Sequence, residues 1–204
     1  YFSPDGQHLA YVKPVKKESG RSLLAMVVDG KEGPAMAHIP SAPFWSDDSK
    51  RCAYFASDEA FKTTLLFVDG KEYKQGSYEV VKASFAPKSG KLLVLMNEKL
   101  PTGLVKGFVV YFEGQRGPTL DELVPPDANL FAPLFSADGN HVTYAGKQGD
   151  GYVVVRDDKA GPAVSDLLGP LVDNVITRRP HFAADGSVEY LAVKDEALYR
   201  IVQR

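Results

Sequence analysis

The chain has 204 residues, 44% hydrophobic and 25% charged, enough apolar material for a packed core and unlike a disordered chain. Lys plus Arg number 24 and Asp plus Glu 26, so the basic excess of a duplex DNA or RNA binder is absent and no nucleic-acid partner is expected. The single cysteine, Cys52, excludes an internal disulfide framework and a cysteine-rich zinc module, and the longest purely apolar run, Leu23 to Val28, falls far short of the ~20 residues of a membrane-spanning helix.

The chain opens Tyr-Phe-Ser-Pro-Asp-Gly with no leader pattern. That opening belongs to a motif that recurs, so a signal or anchor removed ahead of it is compatible with the sequence. Five segments align: Phe2-Ser-Pro-Asp-Gly-Gln-His-Leu-Ala-Tyr11, Trp45-Ser-Asp-Asp-Ser-Lys-Arg-Cys-Ala-Tyr54, Phe85-Ala-Pro-Lys-Ser-Gly-Lys-Leu-Leu-Val94, Phe135-Ser-Ala-Asp-Gly-Asn-His-Val-Thr-Tyr144 and Phe182-Ala-Ala-Asp-Gly-Ser-Val-Glu-Tyr190. Their leading aromatics are 43, 40, 50 and 47 residues apart. A second motif follows in most units: Met26-Val-Val-Asp-Gly-Lys-Glu-Gly-Pro34, Leu66-Phe-Val-Asp-Gly-Lys-Glu72, Val110-Tyr-Phe-Glu-Gly-Gln-Arg-Gly-Pro118 and Val154-Val-Arg-Asp-Asp-Lys-Ala-Gly-Pro162.

Within a unit, the aromatic leads a short inner strand into an Asp-Gly turn, whose residues accept the left-handed conformations of a tight hairpin. An alternating strand such as His8 to Val12 follows. Then come a variable polar loop, a β-branched strand such as Leu24 to Val28, a second Asp-Gly turn and a weaker fourth strand such as Pro34 to Ile39. Four antiparallel strands per ~40–45 residues is the period of a β-propeller blade. The fold class is therefore all-β, one propeller domain over residues 1–204, with repeats at 1–43, 44–83, 84–133, 134–180 and 181–204. The expectation is a ring of five four-stranded blades; an arc of a six- or seven-bladed ring is the alternative. Pro and Gly interrupt every longer stretch, leaving one-turn helical candidates only near Leu120 to Val124 and Ser165 to Leu168.

Phe2-Ser-Pro-Asp-Gly-x-x-Leu-x-Tyr, with Pro two before the aromatic at Pro43, Pro133 and Pro180, resembles the WD40-like repeat of TolB-type β-propellers. It also resembles blades from propeller domains of prolyl-oligopeptidase-type peptidases. The resemblance covers essentially the whole chain. It implies a bacterial envelope or secreted setting, periplasmic or extracellular, and leaves function open, because this scaffold serves many tasks.

Catalytic signals are sparse. His8 and His141 share one repeat position with Arg51 and Lys91, which reads as a polar strand start. Asp5, Asp48, Asp138 and Asp185 belong to the first turn, and Asp29, Asp69 and Glu113 to the second. The innermost strands carry no paired carboxylates, as a propeller glycosidase requires, and no Gly-x-Ser-x-Gly elbow occurs. Cys52 falls at a core strand position, where a thiol is inert. No metal or cofactor site is read, since metal sites want at least three converging ligands.

The loops carry the functional expectation. Those after the second strand, and those entering the next inner strand, share one face and vary in length, whereas the Asp-Gly turns opposite are uniform. Variable loops on a rigid scaffold are where binding usually resides. The candidate face comprises Lys16, Lys17, Arg21, Lys62, Lys99, Lys147, Arg178, Arg179, His181 and Phe131. Arg178-Arg179 is its most basic spot, and Leu123-Val-Pro-Pro with Leu130-Phe131 its most apolar loop. The favoured function is a non-catalytic scaffold binding a protein or peptide. A propeller gating the catalytic domain of a larger hydrolase, and a small-ligand or carbohydrate binder, are the alternatives. Oligomeric state is not legible.

Overall fold

The computed structural model describes residues 1–16, 22–58, 64–74, 78–100, 102–125, 132–168, 171–172, 175–176 and 180–204. Every element described is a β-strand, and all pairings are antiparallel.

Blade I holds β1 (Ala10–Lys16), β2 (Ser22–Val28) and β3 (Lys31–Glu32), with Phe2 bridged to Leu9 at the inner edge. Blade II is β4 (Phe44–Trp45), β5 (Cys52–Ser57), β6 (Thr64–Val68) and β7 (Lys71–Glu72), in that spatial order. Blade III is β8 (Tyr78–Phe85), β9 (Leu92–Lys99), β10 (Val105–Phe112) and β11 (Gln115–Leu120), again in order. Blade IV has β12 (Glu122–Val124) and β13 (Leu134–Phe135), both on the same edge of β14 (Val142–Gln148), then β15 (Gly151–Arg156) and β16 (Lys159–Ala160). Blade V has β17 (Asp166–Leu168), a small hairpin of β18 (Leu171–Val172) and β19 (Val175–Ile176), then β20 (His181–Phe182), β21 (Val188–Lys194) and β22 (Ala197–Gln203). β17 and β20 share one edge of β21.

The inner strand is thus assembled in two pieces in blades IV and V. Val124 faces Ala145 and Leu134 faces Thr143, so on the partner strand Tyr144 alone separates the two pieces. Leu168 faces Leu191 and His181 faces Glu189, so Tyr190 alone separates the two pieces in blade V. Blade III absorbs only a bulge between Val80 and Lys82. The two helical candidates are strand instead: Glu122–Val124 and Asp166–Leu168 pair with β14 and β21. These short segments meet a free strand edge, and ladder hydrogen bonds satisfy their backbone better than one isolated turn.

Blades stack face to face, and each interface is an apolar cluster. Leu93, Leu95 and Val110 of blade III meet Val142, Tyr144 and Val153 of blade IV. Ala53, Leu66 and Val68 of blade II meet Val94, Met96 and Val109 of blade III. Ala10 and Met26 meet Cys52 and Tyr54 between blades I and II, and Ala145 and Val154 meet Val188 and Tyr190 between IV and V. Each fully buried Leu or Val stabilises by roughly 1.5–3 kcal/mol. The inner edges converge: the Phe44 and Phe85 rings lie 5.5 Å apart, and β13 runs beside β20.

Candidate functional site

The two ends of the blades are built differently. At the turn end, Ser3 Oγ donates to Asp5 Oδ1 (2.6 Å), while the Gln7 and His8 N–H groups donate to Asp5 Oδ1 and Ser3 Oγ (both 3.0 Å). Ser46–Asp48 and Ser136–Asp138 repeat the arrangement at 2.6 and 2.5 Å. In blade V the serine moves to the far side, and Ser187 Oγ donates to Asp185. The second turn carries a carboxylate that accepts the N–H opening the second strand: Leu9 to Asp29, Cys52 to Asp69, Leu92 to Glu113, Val142 to Asp157. Its other oxygen meets the neighbouring side chain in three blades, His8 Nδ1 at 2.7 Å, Arg51 Nε at 3.1 Å and His141 Nδ1 at 2.8 Å. These side chains are thus committed to the hairpins.

The same turns tie blade to blade. The Asp5 N–H donates to Ser49 Oγ, Arg51 Nη1 reaches Gly90 O and Glu113, Ser89 Oγ donates to Gly139 O, and Gln203 Nε2 donates to Lys159 O. This end is a uniform, hydrogen-bonded belt. Between blades IV and V it opens into a cleft of about 770 Å³ beside Phe135, His141, Arg156, His181 and Phe182.

The loop end differs from blade to blade. In blade III, β9 and β10 are eight residues each and pair out to Lys99 opposite Val105. The tip closes with the Gly103 N–H donating to Leu100 O and the Leu100 N–H donating to Leu104 O. Gly103 takes a φ of +85°, which a side chain disfavours. Leu100, Leu104 and Val105 are exposed there, Leu104 at 67%. The charges around this tip are paired. Lys99 pairs with Glu79, and Lys106 Nζ is 2.9 Å from Glu98 Oε1. Lys106 beside it, with Thr119 and Arg116, holds the Glu98 carboxyl below its usual range.

Of the residues expected to form a binding face, Lys99 and Lys147 stand at the loop ends of blades III and IV. Lys16 ends β1, with its backbone paired to Ser22. His181 begins β20, is exposed, has Nε2 3.8 Å from Glu189 Oε2, and lines the cleft with turn residues Asp138 and Asp185. Lys17, Arg21, Lys62, Phe131, Arg178 and Arg179 lie outside the described residues. Sequence reasoning passed over Leu100, Leu104 and Val105; the signal was present as apolar residues flanking a Pro-Thr-Gly turn. Among the described residues, no three His, Cys, Asp or Glu side chains converge as metal ligands. Among the described residues, no helix is long and apolar enough to cross a membrane.

Radially packed antiparallel sheets of this pattern define a β-propeller protein. The solved structures to which this chain is similar share between 12% and 18% of its sequence. The β-propeller domain of the Trilobed protease from Pyrococcus furiosus, described as having an open velcro topology, matches 99% of this chain and 66% of its own at 13% identity and a TM-score of 0.43. TolB from Acinetobacter baumannii matches 98% of this chain and 50% of its own at 18% identity and a TM-score of 0.36. A puromycin-hydrolyzing peptidase from Mycobacterium tuberculosis matches 96% of this chain and 37% of its own at 12% identity and a TM-score of 0.34. The chain spans 66% or less of each of these structures. No protein-family model and no curated protein matches it.

Proposed function

We infer that the protein is a non-catalytic propeller scaffold of the bacterial envelope or of secreted material, which binds a protein or peptide partner through its loop end. The observation that supports this most is the blade III tip. Three aliphatic side chains stand in solvent on a hairpin of two eight-residue strands whose charged neighbours are already paired. Such a knob recognises an apolar pocket or groove rather than a charged surface, and apolar anchors ringed by satisfied polar groups carry most interface energy. The basic loop residues contribute orientation at the rim, where charge acts on encounter more than on affinity.

The test is quantitative cross-linking of the purified protein to envelope proteins of its source. Leu104→Glu and Val105→Glu, both exposed, should leave the thermal midpoint in place and remove the cross-linked partner. Gln7→Glu at the turn end should retain it. Loss in both ends alike, or in neither, would sink the reading.

A further inference from the structure

In four of the five blades, β1, β5, β14 and β21 carry a tyrosine at one repeat position: Tyr11, Tyr54, Tyr144 and Tyr190. Three of these are covered by the preceding blade, at one kind of residue. A Cβ on Gly33 would stand 2.7 Å from Tyr54 Oη, one on Gly117 2.1 Å from Tyr144 Oη, and one on Gly161 2.8 Å from Tyr190 Oη. Each glycine follows the second turn, in the outermost segment of its blade. Only a residue without a side chain leaves room for the phenol of the next blade.

The interface between blades II and III inverts the pair. Tyr73 occupies the glycine's place, its N–H donating to Leu66 O as those of Gly33 and Gly161 donate to Met26 O and Val154 O. The facing residue is Val94, and Tyr73 packs against the cluster that holds it. Bulk lost on one blade is restored on the other. Neighbouring blades therefore match by a two-state rule, Gly with Tyr or Tyr with Val.

Tyr11 has no such partner among the described residues. It is 43% exposed and Leu9 beside it 39%, whereas Tyr54, Tyr144 and Tyr190 are all under 5% and Cys52, Leu92 and Val142, at the position of Leu9, are all under 7%. The face has interface chemistry without the interface.

A second copy of these five blades cannot supply the partner, because Gly33, Gly117 and Gly161 are already seated on tyrosines. Nor does the free face of blade V offer the apolar centre of the other interfaces. Glu189 and Arg200 pair there at 2.7 Å, at repeat positions held by Ala53 and Leu66 in blade II and by Leu93 and Val110 in blade III, all buried. Pro14 on the free edge of β1 has no N–H to donate, but its carbonyl can accept from a docked strand in the way Val193 O accepts from Ser165 N–H in blade V. We propose that the face of blade I bearing Leu9 and Tyr11 is a docking face for one further blade of this repeat, one with glycine and not tyrosine at the outer position.

The chain contains both probes needed to test this. Residues 1–43, fused ahead of Tyr1, present Gly33 to Tyr11; residues 44–83, fused likewise, present Tyr73. Hydrogen exchange at Tyr11 and Val12 should slow about tenfold or more with the first fusion and remain unchanged with the second. Tyr73→Gly in the second fusion should gain the protection, and Tyr11→Val should reverse the preference. Equal protection by both fusions, protection by neither, or no gain from Tyr73→Gly would overturn the proposal. Sedimentation of the unfused chain is the control: self-association abolished by Tyr11→Ala would assign the face to a second copy and overturn it too.

Discussion

Gly117 lies against the phenol of Tyr144 across the interface of blades III and IV, and a Cβ added to it would sit 2.1 Å from Tyr144 Oη and 3.1 Å from Val110 O. The ring cannot yield, because Tyr144 is buried among Leu93, Leu95 and Val110. Gly117→Ala is therefore expected to destabilise by about 1–3 kcal/mol through overpacking, a fall of several degrees in Tm for a chain of this size. Tyr144→Phe removes the atom in conflict, so the double variant should be more stable than the sum of the single changes predicts. Urea titrations of the four proteins check this; strict additivity would refute the contact.

Much of this architecture was legible in sequence because its signals are local. An Asp-Gly pair sets a hairpin by its own backbone preferences, and five phased copies fix the period. The inner strand was not legible, since Glu122–Val124 and Asp166–Leu168 are too short to show a period of two and gain their strand character only from β14 and β21. The Gly-Pro pairs at 33, 117 and 161 were visible as a motif, but their reason lies on the next blade, 21 to 29 residues later. The ion pairs of the basic loop face are not legible in sequence. Lys99 and Lys106 are neutralised by Glu79 and Glu98, partners that strand register brings alongside.

Cys52 is 6% exposed, and burial pushes its thiol up to about 12, with Asp69 and Asp29 adding to the effect. A thiolate is the reactive form. At pH 8 the native protein should therefore resist a disulfide reagent that titrates the unfolded chain fully. Stoichiometric reaction without denaturant would show that blades I and II are not packed as described.

Arg51 joins two blades by three kinds of contact. Nε is 3.1 Å from Asp69 in its own blade, Nη1 is 3.1 Å from Glu113 in the next, and the guanidinium lies 5.2 Å from the centre of the Phe85 ring. Arg51→Ala should cost about 1–2 kcal/mol. Arg51→Lys should recover little, since an ammonium cannot span the fork and the ring together. Raising salt should narrow the gap between wild type and Arg51→Ala without closing it, because the stacking contact is not screened.

Burial raises the phenols of Tyr54 and Tyr190 up to about 12, and that of Tyr144 further. Their folded values lie above the ordinary phenol value of about 10, so the native state favours the protonated form. This contribution is fully present below pH ~10 and is lost as pH rises toward 12. Absorbance of tyrosinate should therefore show a late phase that coincides with the loss of β-sheet circular dichroism above pH ~10. A buried phenol that ionises with the circular dichroism intact would contradict the interfaces.

The turn carboxylates give the opposite limb. Asp5, Asp48, Asp138 and Asp185 all lie below the ordinary carboxylate value, chiefly because Ser3, Ser46, Ser136 and Ser187 donate to them, with backbone N–H groups adding to it. A depressed folded value means that the stabilisation is present above the unfolded value near 3.9 and is lost as pH falls through the folded values. Stability should thus drop between about pH 5 and the acid limit. Blade III has Pro87-Lys88-Ser89 at this turn, so its first turn adds no such carboxylate, and its share of the slope comes from Glu98. Ser136→Ala should lower the urea midpoint at neutral pH and flatten the acid limb, since Asp138 loses its strongest donor. Asp138→Asn should flatten it as well, because a neutral amide has no proton to take up. Urea midpoints measured at steps from pH 6 to pH 3 separate the cases: a limb of unchanged slope in both variants would mean that the serine–aspartate pairs are not what holds these turns.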